Sequence, residues 1–275
     1  MDIKQILLIV GAGSAHEGAM SVAAALAQRF GAVVQGVCLF HEPAATVADS
    51  FAVGRLGIEA VLEHRDTMVR ELAAPAEATF RATVTAQGLS AGWEAREAAA
   101  WCDALVMRAR LADLVVISEP GRDGLLRAAV ERVLMESGAA CLIIPAKCAS
   151  ATPFRHIALG WNRSREARRA IGDSMSLLKE AADVTVVVVG DQPDADPTDE
   201  ALVSLLLRHG VNARLRPVAC DSRRVDHALL DEAAAVGADL LVMGAFGHSR
   251  AAETILGGAT RTVLSGAPLP VLLSR

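Results

Sequence analysis

A chain of 275 residues, 52% of them hydrophobic and 21% charged, has ample apolar material for one large core or two of ordinary size. Its formal net charge of −5 argues against a dedicated nucleic-acid binder, which carries a basic patch or stripe. No apolar run reaches the roughly 18 residues needed to span a bilayer, and the opening MDIKQILLIVGAGS lacks a signal-peptide cleavage pattern, so a soluble cytoplasmic protein with no membrane partner is expected.

Aromatic residues are scarce and Tyr is absent, while Ala, Val and Leu dominate. Unbroken aliphatic runs of this kind suit parallel strands buried on both faces. Such runs fall near residues 4–10, 33–40, 91–95, 113–118 and 141–144. Helical patterns fill the gaps. The stretch 45–87 reads as a long helical excursion that Pro75 should interrupt, because proline removes a backbone donor and crowds the preceding turn. A polar, small-residue linker follows from Lys147 to Pro153. Strands then recur near 155–161, 184–190, 213–218, 239–243 and 270–274, with Ser164, Asp196 or Thr198, Asp221 or Ser222, and Ser249 as candidate helix N-caps.

The second set repeats the first. ILLIVGAGS (6–14) answers HIALGWNRS (156–164), LADLVVI (111–117) answers GADLLVM (237–243), and CLII (141–144) answers PVLL (270–273). The offset is 150 residues from Ser14 to Ser164 but 126 from Asp113 to Asp239, so the first copy carries an insertion of about 24 residues, placed within 45–87. The expected organisation is two tandem α/β domains, 1–147 and 154–275, each a parallel sheet with right-handed crossovers. The five cysteines, Cys38, Cys102, Cys141, Cys148 and Cys220, form no CxxC pair and read as reduced thiols rather than a disulfide framework or zinc site.

The fourth strand of the second copy ends at Met243 and runs into Gly244-Ala-Phe-Gly247-His248-Ser249-Arg250, a helical stretch, and then Gly257-Gly258-Ala-Thr260. Ligand crevices of open α/β sheets lie at the carboxyl ends of strands. Glycines there let the backbone turn sharply and approach a ligand, and a helix starting near Ser249 aims free N–H groups into the same space. His248 and Arg250 could add positive charge. The same glycines could equally serve tight turns and close helix packing.

Gly244, Gly247 and Gly257 fit the pattern G-x2-G-x9-G-[S/T], and on this motif, with IALGWNRSREARRAI and VMGAFGHSRAAETILGGATRTVLSGAPLPVLL, the chain resembles a tandem member of the universal stress protein family. The resemblance implies two adenine-nucleotide α-hydrolase-like (Rossmann-like) domains, each a five-stranded parallel sheet of order 3-2-1-4-5 with helices on both faces. It implies ATP as ligand of the second copy, with Mg as its companion. The site residues would be Asn162, Ser164, Met243, Gly244, Gly247, His248, Gly257, Gly258 and Thr260. It also implies that CLII and PVLL pair edge to edge as an intramolecular pseudo-dimer, with a homodimer of the whole chain as a further step.

There are departures. Gly258 stands where the family has Ser or Thr, with Thr260 nearby as a substitute, and Asn162 where it has an acidic residue. The first copy departs further. Glu119 sets negative charge where phosphate would sit, Pro120 removes a donor, Ala12 stands at the Asn162 position, and Glu131 and Arg132 occupy the place of the second glycine pair. No nucleotide is expected there. Gly11-Ala-Gly13-Ser14 fails the dinucleotide pattern, since its third glycine position falls on His16.

No nucleophile, base or metal cluster stands out, so no catalytic or metal residue is assigned. The acidic run Asp191, Asp194, Asp196, Asp199 and Glu200 lacks calcium-loop spacing and reads as a solvated loop. Arg163, Arg165, Arg168 and Arg169 read as a solvated helix face. Three functions follow: a stress-response module that binds adenine nucleotide, a weak Mg-dependent ATP hydrolase using the same loop, or an interaction scaffold with unknown protein partners and no nucleotide.

Overall fold

The computed structural model describes residues 2–12, 16–40, 55–121, 124–148, 154–190, 196–220, 225–245 and 262–275. The first half runs β1 (Gln5–Gly11), α1 (Glu17–Phe30), β2 (Val33–Phe40), α2 (Arg55–Ala86), β3 (Ala91–Glu97), α3 (Ala98–Ala109), β4 (Leu114–Ser118), α4 (Gly124–Glu136), β5 (Ala140–Ile144). The second runs β6 (His156–Gly160), α5 (Arg165–Glu180), β7 (Asp183–Gly190), α6 (Pro197–Arg208), β8 (Ala213–Ala219), α7 (Val225–Ala235), β9 (Leu240–Gly244), β10 (Val271–Ser274).

All ten strands form one sheet of order β3-β2-β1-β4-β5-β10-β9-β6-β7-β8. Each half is therefore a parallel sheet of order 3-2-1-4-5, and the halves meet through the antiparallel pair β5–β10, with Val271 opposite Ile143 and Leu273 opposite Cys141. This is the edge-to-edge pairing that the matching segments imply. It hides two strand edges that would otherwise offer unpaired backbone groups. Of the outer strands, β8 carries Arg214, Arg216 and Pro217, charges and a proline that discourage further pairing.

Strand side chains alternate between the two faces. On β1, Ile6, Leu8 and Val10 join a core under α1, α2, α5 and α6, whereas Leu7 and Ile9 join a core under α3, α4 and α7. Both layers continue across the β5–β10 seam. The repeat extends to a polar detail. Asp113 accepts the N–H groups of Lys4 (2.8 Å) and Gln5 (2.9 Å), and Asp239 accepts those of Arg155 (2.8 Å) and His156 (3.1 Å). In each copy a carboxylate before the fourth strand thus pins the entry of the first.

One expectation fails here. Pro75 lies inside α2, which runs unbroken from Arg55 to Ala86. The bond its ring forfeits would reach the carbonyl of Glu71, and both positions are exposed, so water can donate to that carbonyl in place of the missing N–H. Ala73, Ala76, Phe80 and Val84 of the same helix are buried, and this apolar stripe outweighs the local defect. The caps Ser164 and Asp196 are as expected; Asp221, Ser222 and Ser249 lie outside the described residues, as does most of the linker. Among the described residues no helix is long and apolar enough to cross a membrane.

Candidate functional site

Strand order reverses between β1 and β4 in the first half and between β6 and β9 in the second. The crevices at these two switch points are the places where the fold leaves room for a ligand.

In the second half, β6 ends at Gly160 and the chain continues through Trp161, Asn162, Arg163 and Ser164 into α5. Ser164 Oγ accepts from Ala167 N (3.1 Å), satisfying one of the first-turn donors of the helix. Asn162 is exposed, and its Oδ1 accepts from Ser164 N (3.2 Å). That bond leaves the amide NH2 as the group Asn162 can offer a ligand.

Arg163 adopts a left-handed backbone (φ 62°), which for a non-glycine residue costs on the order of 1 kcal/mol or more. Asp199, in the first turn of α6, holds it there. This nearly fully buried carboxylate accepts from Arg163 Nη2 (2.7 Å) and Nε (3.1 Å) and from Trp161 Nε1 (2.9 Å). Hydrogen bonding to Asp199 raises the Arg163 pKa further. The loop that presents Asn162 is therefore clamped on both sides by one acidic group. Neither the clamp nor its partners is legible from spacing, which groups Asp199 with a solvated loop and Arg163 with a solvated helix face.

On the other wall, Met243 and Gly244 end β9. The Met243 side chain is buried in the core shared with Leu229 and Val187, which leaves its backbone as the part facing the crevice rim. A Cβ on Gly244 would stand 2.5 Å from Ala167 N and 2.6 Å from Glu166 C. The glycine is thus required by the first turn of α5, whereas motif spacing alone suggests ligand approach. Glu166 lies in that turn. Burial pushes its carboxyl up, but hydrogen bonds from Arg165, from its own N–H and from Ser164 outweigh this and hold it below the usual range. Gly247, His248, Gly257, Gly258 and Thr260 lie outside the described residues.

The first-half crevice is filled by its own side chains. His16 Nδ1 sits 2.8 Å from Ser118 Oγ, bridging the ends of β1 and β4. Burial lowers the His16 pKa, a backbone hydrogen bond with Gly11 opposing in part, so the ring is neutral at pH 7. Leu126 closes over Gly11, where an added Cβ would lie 3.1 Å from its Cδ2. Glu119 turns back to accept from Ala146 N (3.1 Å).

The four arginines are all exposed, as a solvated face requires, and three of them also have partners. Arg163 serves Asp199, Arg165 pairs with Glu166, and Arg169 bonds Asp173 and Gly138 O; of the four, Arg168 shows only exposure. All five cysteines are free thiols, and burial pushes Cys38 and Cys141 up to about 12. Among the described residues no group of three or more His, Cys, Asp or Glu side chains could hold a metal ion.

The sequence profile of the Universal stress protein family matches residues 153–275. No curated protein matches the chain. Among solved structures, a universal stress protein from Archaeoglobus fulgidus DSM 4304 is similar over 98% of this chain and 96% of its own, with a TM-score of 0.69 at 14% identity. A functionally unknown protein from Pseudomonas aeruginosa PAO1 is similar over 99% of this chain and 92% of its own, with a TM-score of 0.58 at 14% identity. At such identities the likeness speaks for the fold of the whole chain.

Proposed function

We propose that the chain, whose residues 153–275 match the Universal stress protein family, is a stress-response module binding one adenine nucleotide, ATP with Mg, in the crevice between β6 and β9. The observation that carries this reading is the Asn162 loop: exposed at a switch point, capped by Ser164 and clamped by Asp199. A preset polar loop beside a glycine-ended strand suits ligand binding, because less ordering entropy is lost on association. Gly247, Gly257 and Thr260 supply the remaining positions of the sequence motif. The first half binds no nucleotide in this reading, since His16, Leu126 and Glu119 use its space. Its role is to brace the second half through β5 and β10. The units are those of the expected organisation, 1–147 and 154–275, acting in the cytoplasm.

The test is calorimetric titration of the full chain, stripped of bound nucleotide, with ATP and Mg. The expected result is about one ATP per chain, lost in Gly247→Glu and kept in His16→Ala. A steady-state phosphate-release assay on the same sample separates a binding module from a hydrolase. Absence of binding up to millimolar ATP would overturn the reading and favour a scaffold role.

A further inference from the structure

A cavity of about 570 Å³ opens at the seam between the halves, lined by Leu134, Met135 and Gly138 from the end of α4 and by Arg165, Arg169 and Arg275 from the second half. The three arginines reach it from two separate segments. Arg165 and Arg169 stand on successive turns at the start of α5, and Arg275 follows β10. Two are fixed against backbone carbonyls of the first half: Arg169 Nη2 donates to Gly138 O (3.1 Å) and Arg275 Nη1 to Met135 O (3.1 Å). Glu166 and Asp173 pair with Arg165 and Arg169.

The internal repeat shows that the seam does not need this charge. Asp113 and Asp239 pin Lys4–Gln5 and Arg155–His156, a structural offset of 151, so Arg169 corresponds to Gly18, and the strand registers set Arg275 against Pro145. At that opposite end Arg127 of α4 spans the halves by donating to Leu264 O (2.9 Å) and Ser265 Oγ (3.2 Å). One end of the seam thus carries an uncharged Gly18 and Pro145 at the positions where the other carries Arg169 and Arg275 beside open space.

We propose that the seam cavity is a binding site for a chain of two or three phosphates, with Arg165, Arg169 and Arg275 as its cationic ligands. Guanidinium forks match phosphate oxygens two at a time, and the N-terminal turn of α5 adds partial positive charge from the same side. The volume falls within the range of about 300–1,000 Å³ typical of small-molecule sites. Such a ligand would touch both halves and tie them together. It is carried by inorganic polyphosphate or by the phosphate tail of a nucleotide, and the site does not rest on the nucleotide reading of the β6–β9 crevice.

The experiment titrates the full chain with sodium tripolyphosphate by calorimetry. Saturable binding of one ligand per chain is expected, weakened about tenfold or more in Arg165→Ala and in Arg275→Ala and unchanged in Arg168→Ala, one helix position group away from the cavity. Arg165→Lys, which keeps charge but loses the fork, should fall between, and a melting temperature matching the parent establishes that each variant is folded. A parallel ATP titration identifies the source: the same loss in the two alanine variants points to a nucleotide tail, no loss to free polyphosphate. No saturable binding up to millimolar tripolyphosphate, or an equal loss in Arg168→Ala, would overturn the proposal.

Discussion

Replacing Gly244 by Ala tests whether the first glycine of the motif serves the ligand or the fold. The added Cβ would meet Ala167 N at 2.5 Å, Glu166 C at 2.6 Å and Glu166 Cβ at 2.9 Å. Ordinary contact begins near 3.4 Å, so the methyl is most of an ångström too close, and two of the three neighbours are backbone atoms that no rotamer change can move. Neither wall yields cheaply. β9 is held between β10 and β6, and the first turn of α5 is fixed by the Ser164 cap and by buried Ala167. The φ of Gly244 is not in the left-handed region, so the penalty is steric alone, about 3 kcal/mol at the upper end of overpacking. For a chain of this length that lowers Tm by roughly 6 °C or more. Gly190→Ala is the control, with nothing within 4 Å of its Cβ and an expected effect between zero and a gain of about 1 kcal/mol. Thermal melting followed by circular dichroism, without nucleotide, reads both. A Gly244→Ala protein melting within a degree or two of the parent would refute the packing account and return the glycine to the ligand.

Other substitutions probe the supports around the crevices. Asp199→Ala should cost about 3 kcal/mol in urea unfolding, since it strands the buried Trp161 N–H; Asp199→Asn, which keeps an acceptor, should cost visibly less, and equal small losses would contradict the clamp. Asp113→Ala and Asp239→Ala should each cost about 1–3 kcal/mol, because each carboxylate accepts two backbone N–H groups; a loss at one position only would break the structural equivalence of the repeats. His16 has a lowered folded pKa, so the unfolded chain takes up its proton first, and stability falls as pH drops through about 6.5. Relative to His16→Gln the parent should therefore lose stability between pH 7 and 5 and run parallel above pH 7; parallel curves throughout would show that burial does not hold the ring neutral.

The sheet was legible because its strands are nearly all aliphatic on both faces. β4 and β5 are buried at every position, and such runs, bounded by small-residue turns, mark parallel strands with little ambiguity. The repeat then carried the topology, since matched strands must occupy matched places. What the sequence hid was any property set by partners distant in the chain. Asp199 sits in an acidic first turn like many exposed ones, and only the fold brings Trp161 and Arg163 onto it. Arg165 and Arg275 lie more than a hundred residues apart and meet because α5 packs against β10, and Leu134, Met135 and Gly138 join them only because β5 pairs with β10. Pro75 misled for the opposite reason: a local rule was applied where buried alanines and Phe80 on the same helix decide the outcome.

The two crevices differ in only a few loop and helix-start residues. Both arise from the same strand order, so topology alone would provide two ligand sites. In the first half, His16 crosses from one wall to the other and Leu126 covers the strand end, so a ligand would first have to displace a buried hydrogen bond and packed apolar surface. In the second half, Asp199 holds the loop after β6 through Trp161 and Arg163, and Asn162 of that loop is exposed. The cores beneath remain continuous across the seam. A closed first half then has a physical use: its β5 supplies the partner that β10 needs, and β10 in turn fixes β9, the strand whose end forms one wall of the open crevice.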